Sequence, residues 1–377
     1  MAFSVFHTDL RIIRPGEALP APDACCDAAV TAHRLRLPGG KATRRSFISC
    51  LAASSTLAAM ATSARAETYP PLLEDIVVQQ VPGTSVHYVI GNAGVPSQRN
   101  EGHTSNAGFI VTDEGVVVFD TLGTPSLGWA LLEKIRAITD KPVKYVVLSH
   151  YHADHIYGLQ AFRDHTDAVI IAQMKAYDYV ATGSLDDESA APRLAQRRAA
   201  LAPWVNQDTR IVLPEVTFKV AAEIRLGGRQ FQLIYAGPAH SMSDIMMFVV
   251  PERVLFAGDI VQNGRIPYMA SAAVDTRNWL KGLETVATLD SRFIIPGHGH
   301  ISTAATDAIS FTRDYILYLR RTMQKAVDEW TDFDAAYKAA DWSAYRDMPA
   351  FAFSNRGNAY RVFLDLEQEA LAQPSPK

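Results

Sequence analysis

Cysteine is almost missing from this sequence of 377 residues, which contains only Cys25, Cys26 and Cys50. Because no cysteine follows residue 50, the rest of the chain has no disulfide, no thiolate metal ligand and no cysteine nucleophile. Any metal chemistry must therefore rely on the eleven histidines and on carboxylates.

An excess of charge of either sign is also lacking. Charged residues make up 20% of the chain and the formal net charge is −4, so the sequence offers no electrostatic basis for binding nucleic acid. The apolar content of 48% is too high for a disordered chain and, with this charge, too low for a polytopic membrane protein. A folded chain with a small-molecule substrate is expected.

The first 66 residues resemble an export leader. The pair Arg44-Arg45 precedes an apolar run over residues 47–60, and the small-residue site Ala64-Arg65-Ala66 follows. This order is similar to a twin-arginine signal, which predicts contact with that export machinery, cleavage and a periplasmic location. The apolar run is too short to span a bilayer, so no stable anchor is expected after processing. The alternative is a short buried helix, and the role of residues 1–43 stays open.

Strand and helix patterns alternate from residue 67 onward. The apolar run Val143–Leu148 is typical of a buried strand, and apolar residues at helical spacing predict a helix over Leu127–Ile138. Such a mixture favours an α/β fold of sheets with helices on their outer faces. We predict a main domain over 67–310 and a helical C-terminal extension over 311–377. Residues 174–204 read as surface helices, and whether they form a lid is open.

The densest group of chemical side chains follows the strand that ends at Leu148. The sequence Ser149-His150-Tyr151-His152-Ala153-Asp154-His155 places four potential metal ligands within six residues. In an extended segment His150 and His152 share one face, whereas Asp154 and His155 come as the chain turns into the next helix. One loop can therefore present ligands to two metal ions.

Three more candidate ligands stand in glycine-containing turns. His240 follows Gly237-Pro238, Asp259 follows Gly258, and His298 follows Gly297. Glycine allows the sharp turns and close backbone approach that a loop presenting ligands needs. Each turn is a weak signal by itself, because a histidine in such a turn is more often structural.

Together these side chains resemble the signature of the metallo-β-lactamase-fold hydrolase superfamily, H-x-H-x-D-H followed by His, Gly-Asp and Gly-His. The resemblance covers roughly residues 80–300, and all seven ligand positions are filled: His150, His152, Asp154, His155, His240, Asp259 and His298. It implies a four-layer αββα sandwich with the site at one edge. It further implies that one ion is held by three histidines and the second by Asp154 and two histidines, with Asp259 bridging. The two sets are His150, His152, His240 and Asp154, His155, His298.

Imidazole and carboxylate ligands suit two zinc ions, and iron or manganese would also fit. Two neighbouring cations lower the pKa of a shared water, so a bridging hydroxide is the expected nucleophile. Asp154 can orient it while ligating, and Asp259 is the second residue assigned to catalysis. The expected reaction is hydrolysis of an ester, thioester or amide-like bond.

Departures within the resemblance narrow the subfamily. Asp259 stands where the first two classes of metallo-β-lactamase carry cysteine, and Gln262 stands where lactonases often have tyrosine. His152 stands where flavin-dependent di-iron members carry glutamate. The run His155-Ile156-Tyr157-Gly158 in an exported chain is similar to zinc metallohydrolases associated with quinoproteins. Two alternatives remain: a metallo-β-lactamase, and a non-catalytic metal-binding accessory protein of a periplasmic quinoprotein or sulfur-oxidation system.

Several other polar residues near the motifs are candidates for supporting roles rather than for metal ligands. Asp120, at the end of a predicted strand, is either an outer-sphere carboxylate or a strand-end cap. His300 is either a neighbour of the site or an exposed residue, and His103 is not expected to be a ligand. Candidate substrate contacts after Asp259 are Asn263, Arg265 and Tyr268.

Overall fold

The computed structural model describes residues 9–17, 69–182, 184–185 and 188–372. The predicted twin-arginine signal and its cleavage site lie outside the described residues. In chain order the strands are β1 (Leu10–Ile13), β2 (Gln79–Gln80), β3 (Val86–Val89), β4 (Ala107–Val111), β5 (Val116–Phe119), β6 (Val143–Val147), β7 (Val169–Gln173), β8 (Ser184–Leu185), β9 (Glu188–Ser189), β10 (Val216–Phe218), β11 (Ala221–Leu226), β12 (Arg229–Tyr235), β13 (Ile245–Val249), β14 (Val254–Gln262) and β15 (Phe293–His298).

The helices border and separate these strands. They are α1 (Pro125–Ile138), α2 (Ala153–Ile156), α3 (Leu159–His165), α4 (Met174–Thr182), α5 (Ala190–Leu201), α6 (Thr276–Thr288), α7 (Ala305–Asp328), α8 (Phe333–Ala339) and α9 (Phe351–Ala372). Local sequence explains where α1 begins, since Thr124 accepts a hydrogen bond from the Leu127 amide and Pro125 occupies the first helical position. Among the described residues, no helix has both the length and the apolar character needed to cross a bilayer.

Two mixed sheets form the centre of the fold. One has the strand order β10-β7-β6-β5-β4-β3-β2, and the other has the order β1-β11-β12-β13-β14-β15. The pairs β5–β6, β6–β7 and β14–β15 are parallel, so the carboxyl ends of neighbouring strands meet at common sheet edges.

The alternation of apolar side chains along each strand creates separate cores on the two faces of each sheet. On β5, Val117 and Phe119 face the core between the sheets, whereas Val116 and Val118 face the core that contains α1 and α3. In the other sheet, Phe256 of β14 faces the core between the sheets and its neighbours on the strand face α6 and α7. These layers confirm the predicted αββα sandwich.

The C-terminal region is helical, as predicted, and packs against the second sheet. Helices α7 and α9 contribute Leu319, Met323 and Val362 to the same core as Trp279 of α6. The expected boundary at residue 310 falls inside α7, because the apolar face of this helix covers the sheet from its first turns onward. Residues 311–372 therefore continue the outer helical layer of the sandwich.

Strand β1 lies within the first 66 residues, for which the sequence pattern predicted an export leader and no strand. Leu10 pairs with Ile224 and Ile13 with Ala221 in antiparallel register, and the Ile13 side chain is buried. Four residues are too few to give a readable strand pattern, so this edge strand was missed. Cleavage after Ala66 stays a prediction.

Candidate metal centre

The predicted ligands come together where strands of the two sheets end. The loop after β6 carries His150, His152 and the short helix α2 with Asp154 and His155, and His240 lies between β12 and β13. In the second sheet, Asp259 lies on β14 and His298 is the last residue of β15. The amide of Ile245 donates to the carbonyl of Ser149 at 2.9 Å, which ties the two edges together. Residues far apart in sequence thus share one site.

The first ligand group is formed by His150, His152 and His240, all buried. Nε2 of His150 lies 3.0 Å from Nδ1 of His152, which lies 2.8 Å from Nε2 of His240. The ring of His152 is nearly perpendicular to the other two, with interplanar angles of 81° and 87°. Two nitrogen ligands on a tetrahedral zinc ion are about 3.3 Å apart, so this arrangement is close to what such an ion requires.

The second group is formed by Asp154, His155 and His298. Oδ2 of Asp154 lies 3.5 Å from Nε2 of His298 and 3.9 Å from Nε2 of His155. The ligand atoms of this group lie within 4.8 Å of one another, as do those of the first group. Both ligand sets implied by the family resemblance occur among the groups of neighbouring ligand atoms in the described residues, and a third such group combines His150, His155 and Asp259.

Asp259 lies between the two groups. Its Oδ1 is 3.2 Å from Nε2 of His155, and its Oδ2 is 3.1 Å from Nε2 of His240 and 3.2 Å from Nε2 of His298. A Cβ atom at Gly297 would lie 2.0 Å from Oδ1 of Asp259, which explains why glycine precedes His298. This position suits a carboxylate that contacts two ions.

The protonation pattern of the rings fits metal binding. Nδ1 of His298 donates to the Thr104 carbonyl at 2.6 Å and Nδ1 of His155 donates to Asp120 at 2.8 Å, which leaves Nε2 of each ring as a lone-pair donor facing the cluster. Among the described residues, the buried atoms His155 Nε2 and Asp259 Oδ1 have no hydrogen-bond partner. A bound cation would satisfy both atoms, so the residues present fit the implied metals.

Asp120 organises ligands of both groups. Besides accepting from His155, its carboxylate accepts from the Ser149 amide at 2.7 Å and from the Ser149 hydroxyl at 2.7 Å. Since that hydroxyl donates to Asp120, its oxygen is left to accept from Nδ1 of His150 at 2.9 Å. The structure thus favours the outer-sphere reading of Asp120 over a simple strand-end cap.

Burial and mutual charge set the pKa values in the cluster. Burial lowers the pKa of His240 to about 3 and also lowers that of His150. Burial alone would raise the pKa of Asp154, but His155, His298 and the Arg197 guanidinium outweigh it and hold the pKa below its ordinary value. Asp259 and Asp120 outweigh burial at His155 and raise its pKa, so a bound cation would have to displace a proton from that ring. Neutral imidazole and ionised carboxylate are the forms that bind metal ions.

A pocket of about 330 Å³ opens onto the cluster, with His152, Asp154, His240, Asp259 and His298 at its base. Its walls come from three parts of the chain: residues 95–96 between β3 and β4, helix α5, and the loop after β14 with helix α9. The wall residues used below are Val95, Pro96, Arg197, Arg265, Tyr268 and Phe353. Helix α5 belongs to segment 174–204, which therefore borders the pocket.

The structure places the remaining candidate residues either in the pocket wall or away from the ligand groups. Arg265 and Tyr268 line the pocket as expected, whereas the Asn263 amide donates to the His300 carbonyl and to Ser302. His300 is exposed, and His103 is not a member of any ligand group found among the described residues.

Several contributors to the site were not predicted from the sequence. Gln262 donates from Nε2 to Oδ2 of Asp259 at 3.0 Å, and the Thr104 carbonyl orients His298. Sequence patterns do not reveal a backbone carbonyl contact across 194 residues. Ser149 could have been found, because it stands next to His150 in the motif.

The sequence pattern of the Metallo-beta-lactamase superfamily matches residues 101–298, which is more than half of the chain and includes all seven candidate ligands. The chain belongs to this superfamily. A linear primary-alkylsulfatase from Pseudomonas sp. (strain ATCC 19151) is 24% identical over 241 residues, which are 56% of this chain and 45% of the relative. A metallo-beta-lactamase type 2 from Bacillus sp. (strain 170) is 21% identical over 237 residues, which are 61% and 82% of the two chains.

A solved structure supports the same fold. The stereoselective inverting sec-alkylsulfatase Pisa1 from Pseudomonas sp. matches 80% of this chain and 52% of its own, with 15% identity and a TM-score of 0.59. The chain thus spans about half the length of both alkylsulfatases. The superfamily match and the two sequence relatives support the predicted class of metal-dependent hydrolase, and the resemblance to quinoprotein-associated members stays a prediction.

Proposed function

We propose that this protein is a dinuclear zinc-dependent hydrolase that cleaves an ester, thioester or amide-like bond of a small molecule in the periplasm. The observation that carries this proposal is the convergence of seven ligand side chains, in two groups joined by Asp259, at the base of an open pocket. A carboxylate placed between two ligand groups is the arrangement that a pair of ions needs.

Bound divalent cations would supply Lewis acidity and an activated water nucleophile. His150, His152 and His240 would hold one ion, and Asp154, His155 and His298 the other. The protein contributes orientation: Asp154 lines the pocket while its Oδ2 accepts from Thr104 at 3.3 Å. Its carboxylate is therefore held where it can accept a proton from a reacting water molecule.

The opening of the pocket supports catalysis over a purely structural metal site. Structural zinc sites are closed by their protein ligands, whereas catalytic sites leave a position that solvent or substrate can reach. Here ligands of both groups, including His152 and Asp154, line the pocket. A non-catalytic accessory protein would have no need for this access.

The relatives supply two substrates to test first. One relative is named an alkylsulfatase, which makes a sulfate ester a candidate for this chain. A β-lactam is the second candidate, because the chain covers 82% of a relative named a metallo-beta-lactamase. Asp259 and the lack of cysteine after residue 50 separate this chain from the cysteine-containing β-lactamase classes named above.

The test combines metal analysis of the purified protein with a reporter screen. Ester, thioester, sulfate ester, phosphodiester and β-lactam reporters are assayed with and without a chelator. We expect two zinc ions per chain and chelator-sensitive turnover of at least one reporter. A protein that binds two ions but hydrolyses none would contradict the proposal and favour the accessory role, and turnover of nitrocefin would favour the β-lactamase.

The periplasmic location rests on the sequence around Arg44-Arg45, and the association with a quinoprotein or sulfur-oxidation system rests on the run His155-Ile156-Tyr157-Gly158 in an exported chain. Both are part of the proposal, and fractionation of cells that express the full chain tests the first.

A further inference from the structure

A buried arginine lies in the wall of the pocket without a counter-charge bonded to it. Arg265 is only 6% exposed, and among the described residues no ion pair joins its guanidinium to a carboxylate, although the charges of Asp154 and Asp259 at the base of the pocket act on it. A guanidinium remains charged at any accessible pH. Buried charges are normally paired, because an unpaired charge in a protein interior costs several kcal/mol.

The contact of Arg265 with His298 does not satisfy this charge. Nη1 of Arg265 lies 3.1 Å from Nδ1 of His298, but that nitrogen already donates its proton to the Thr104 carbonyl. It therefore has no lone pair to accept with. Nε of Arg265 has no hydrogen-bond partner among the described residues.

The loop that carries Arg265 is held firmly by the C-terminal helical layer. The Ile266 amide donates to the Pro349 carbonyl at 2.9 Å. The buried Asn358 of α9 accepts from the Met269 amide and donates to the Pro267 carbonyl, both at 2.7 Å. The position of the guanidinium in the wall is thus fixed, since the chain directly after Arg265 is held by these three hydrogen bonds.

A second guanidinium reaches the pocket from helix α5. Arg197 is half-buried, and its charge acts on both Asp154 and Arg265, lowering the pKa of each. With Arg193, which also lines the pocket, positive side chains thus approach it from two separate elements. The carboxylates at the base belong to the ligand groups and would be neutralised by bound cations.

The rim of the pocket is apolar. Val95 and Pro96 lie in its wall, and Phe353 of α9 is 69% exposed while lining the pocket. An exposed aromatic ring beside charged groups suits a ligand with one charged end and one apolar end.

We propose that Arg265 and Arg197 form an anion cradle that selects a sulfate or phosphate monoester of an apolar alcohol. This inference rests on the proposed function and names its substrate class. A tetrahedral oxyanion has enough oxygens to face the guanidinium and the ligand cluster together, and arginine donates to such groups in a fork. Hydrolysis then consumes one water and releases the alcohol and inorganic sulfate or phosphate.

Kinetics of the metal-loaded full chain test the proposal. The reporters are p-nitrophenyl sulfate, p-nitrophenyl phosphate and the neutral p-nitrophenyl acetate. We expect Arg265→Gln to lower the ratio of kcat/KM for the preferred anionic reporter to that for the neutral reporter by roughly tenfold to hundredfold, because hydrogen bonds to charged groups are strong. Arg265→Lys, which keeps the charge but not the fork, should recover part of this ratio.

Calorimetric titration with inorganic sulfate and with inorganic phosphate gives a readout that does not depend on turnover. Arg265→Gln should weaken binding of the preferred anion by at least about tenfold, and the stronger anion identifies the ester. Should these reporters and those of the wider screen all fail with wild-type protein, the proposed hydrolase is wrong, and this titration still decides whether the anion cradle exists.

Arg197→Gln serves as the second variant, since Arg197 is half-buried and lies on α5, outside the buried loop that carries Arg265. The matched control is Arg321→Gln, which removes one charge from an exposed arginine on α7 outside the pocket. An unchanged reporter ratio and unchanged anion binding in a folded, metal-loaded Arg265→Gln protein would overturn the proposal. If that variant fails to fold, the same result for Arg197→Gln would overturn it.

Discussion

Oδ2 of Asp120 lies 2.8 Å from Nδ1 of His155, and both side chains are buried. The same carboxylate reaches His150 through the Ser149 hydroxyl. One residue at the end of β5 therefore orients a ligand from each group. Because an oriented ring loses less freedom on binding, Asp120 is expected to strengthen metal binding without touching an ion.

Replacing Asp120 with asparagine tests this role. Asp120→Asn removes the charge that accepts from His155, so we expect metal affinity to fall roughly tenfold to hundredfold. Competition with a chromogenic chelator measures the change. Asp113→Asn, which alters an exposed carboxylate in the turn before β5, should keep the wild-type affinity, and equal affinities of all three proteins would contradict the assignment.

His152→Ala removes the ring whose Nδ1 lies between His150 and His240. The first ligand group then retains two nitrogens, so we expect loss of bound metal together with a loss of hydrolysis of roughly hundredfold or more. Elemental analysis and a reporter assay on the same sample measure both. Normal metal content in this variant would count against the ligand assignment. His300→Ala, at an exposed histidine, is the control.

Asp259→Ala removes the carboxylate that faces both groups. We expect the protein to retain one ion and lose the other, because each group keeps three other candidate ligands but the shared contact is gone. Metal stoichiometry after dialysis against zinc measures this outcome. Retention of two ions would show that Asp259 does not bridge.

Acid should destabilise the metal-free protein through His103. Burial lowers the pKa of His103 to about 4 from an ordinary value of 6.5, so the unfolded chain binds this proton more readily. The stability that the neutral ring contributes is present above about pH 6.5 and is lost as the pH falls towards 4. Urea unfolding in the presence of a chelator should show a smaller loss for His103→Gln, and an identical pH dependence would refute the effect.

Replacing Arg44-Arg45 with two lysines should retain the precursor in the cytoplasm if export uses the twin-arginine route. Cell fractionation detects the retained protein, and N-terminal sequencing of exported wild-type protein should find Glu67 at its start. Unchanged export of the variant would indicate another route.

Much of the fold could be predicted from the chain because its signals are local. The apolar run at Val143–Leu148 is a strand in the structure up to Val147, and the spacing over Leu127–Ile138 lies in helix α1. Strand β1 was missed, because four residues carry little pattern and its partner β11 lies about 210 residues later. The predicted domain boundary at residue 310 lies inside α7, since helical spacing alone does not show that this helix is buried against a sheet.

For the candidate site, too, local features could be predicted from the sequence and long-range contacts could not. The spacing of His150, His152, Asp154 and His155 by itself predicted that this loop can present ligands in two directions, because side-chain direction over a few residues follows from backbone geometry. Only the tertiary structure decided that Asp259 lies between the groups, that Asp120 holds His155, and that Arg265 is buried beside His298. These relations join residues many positions apart, and they arise where two sheets pack so that their strand ends meet.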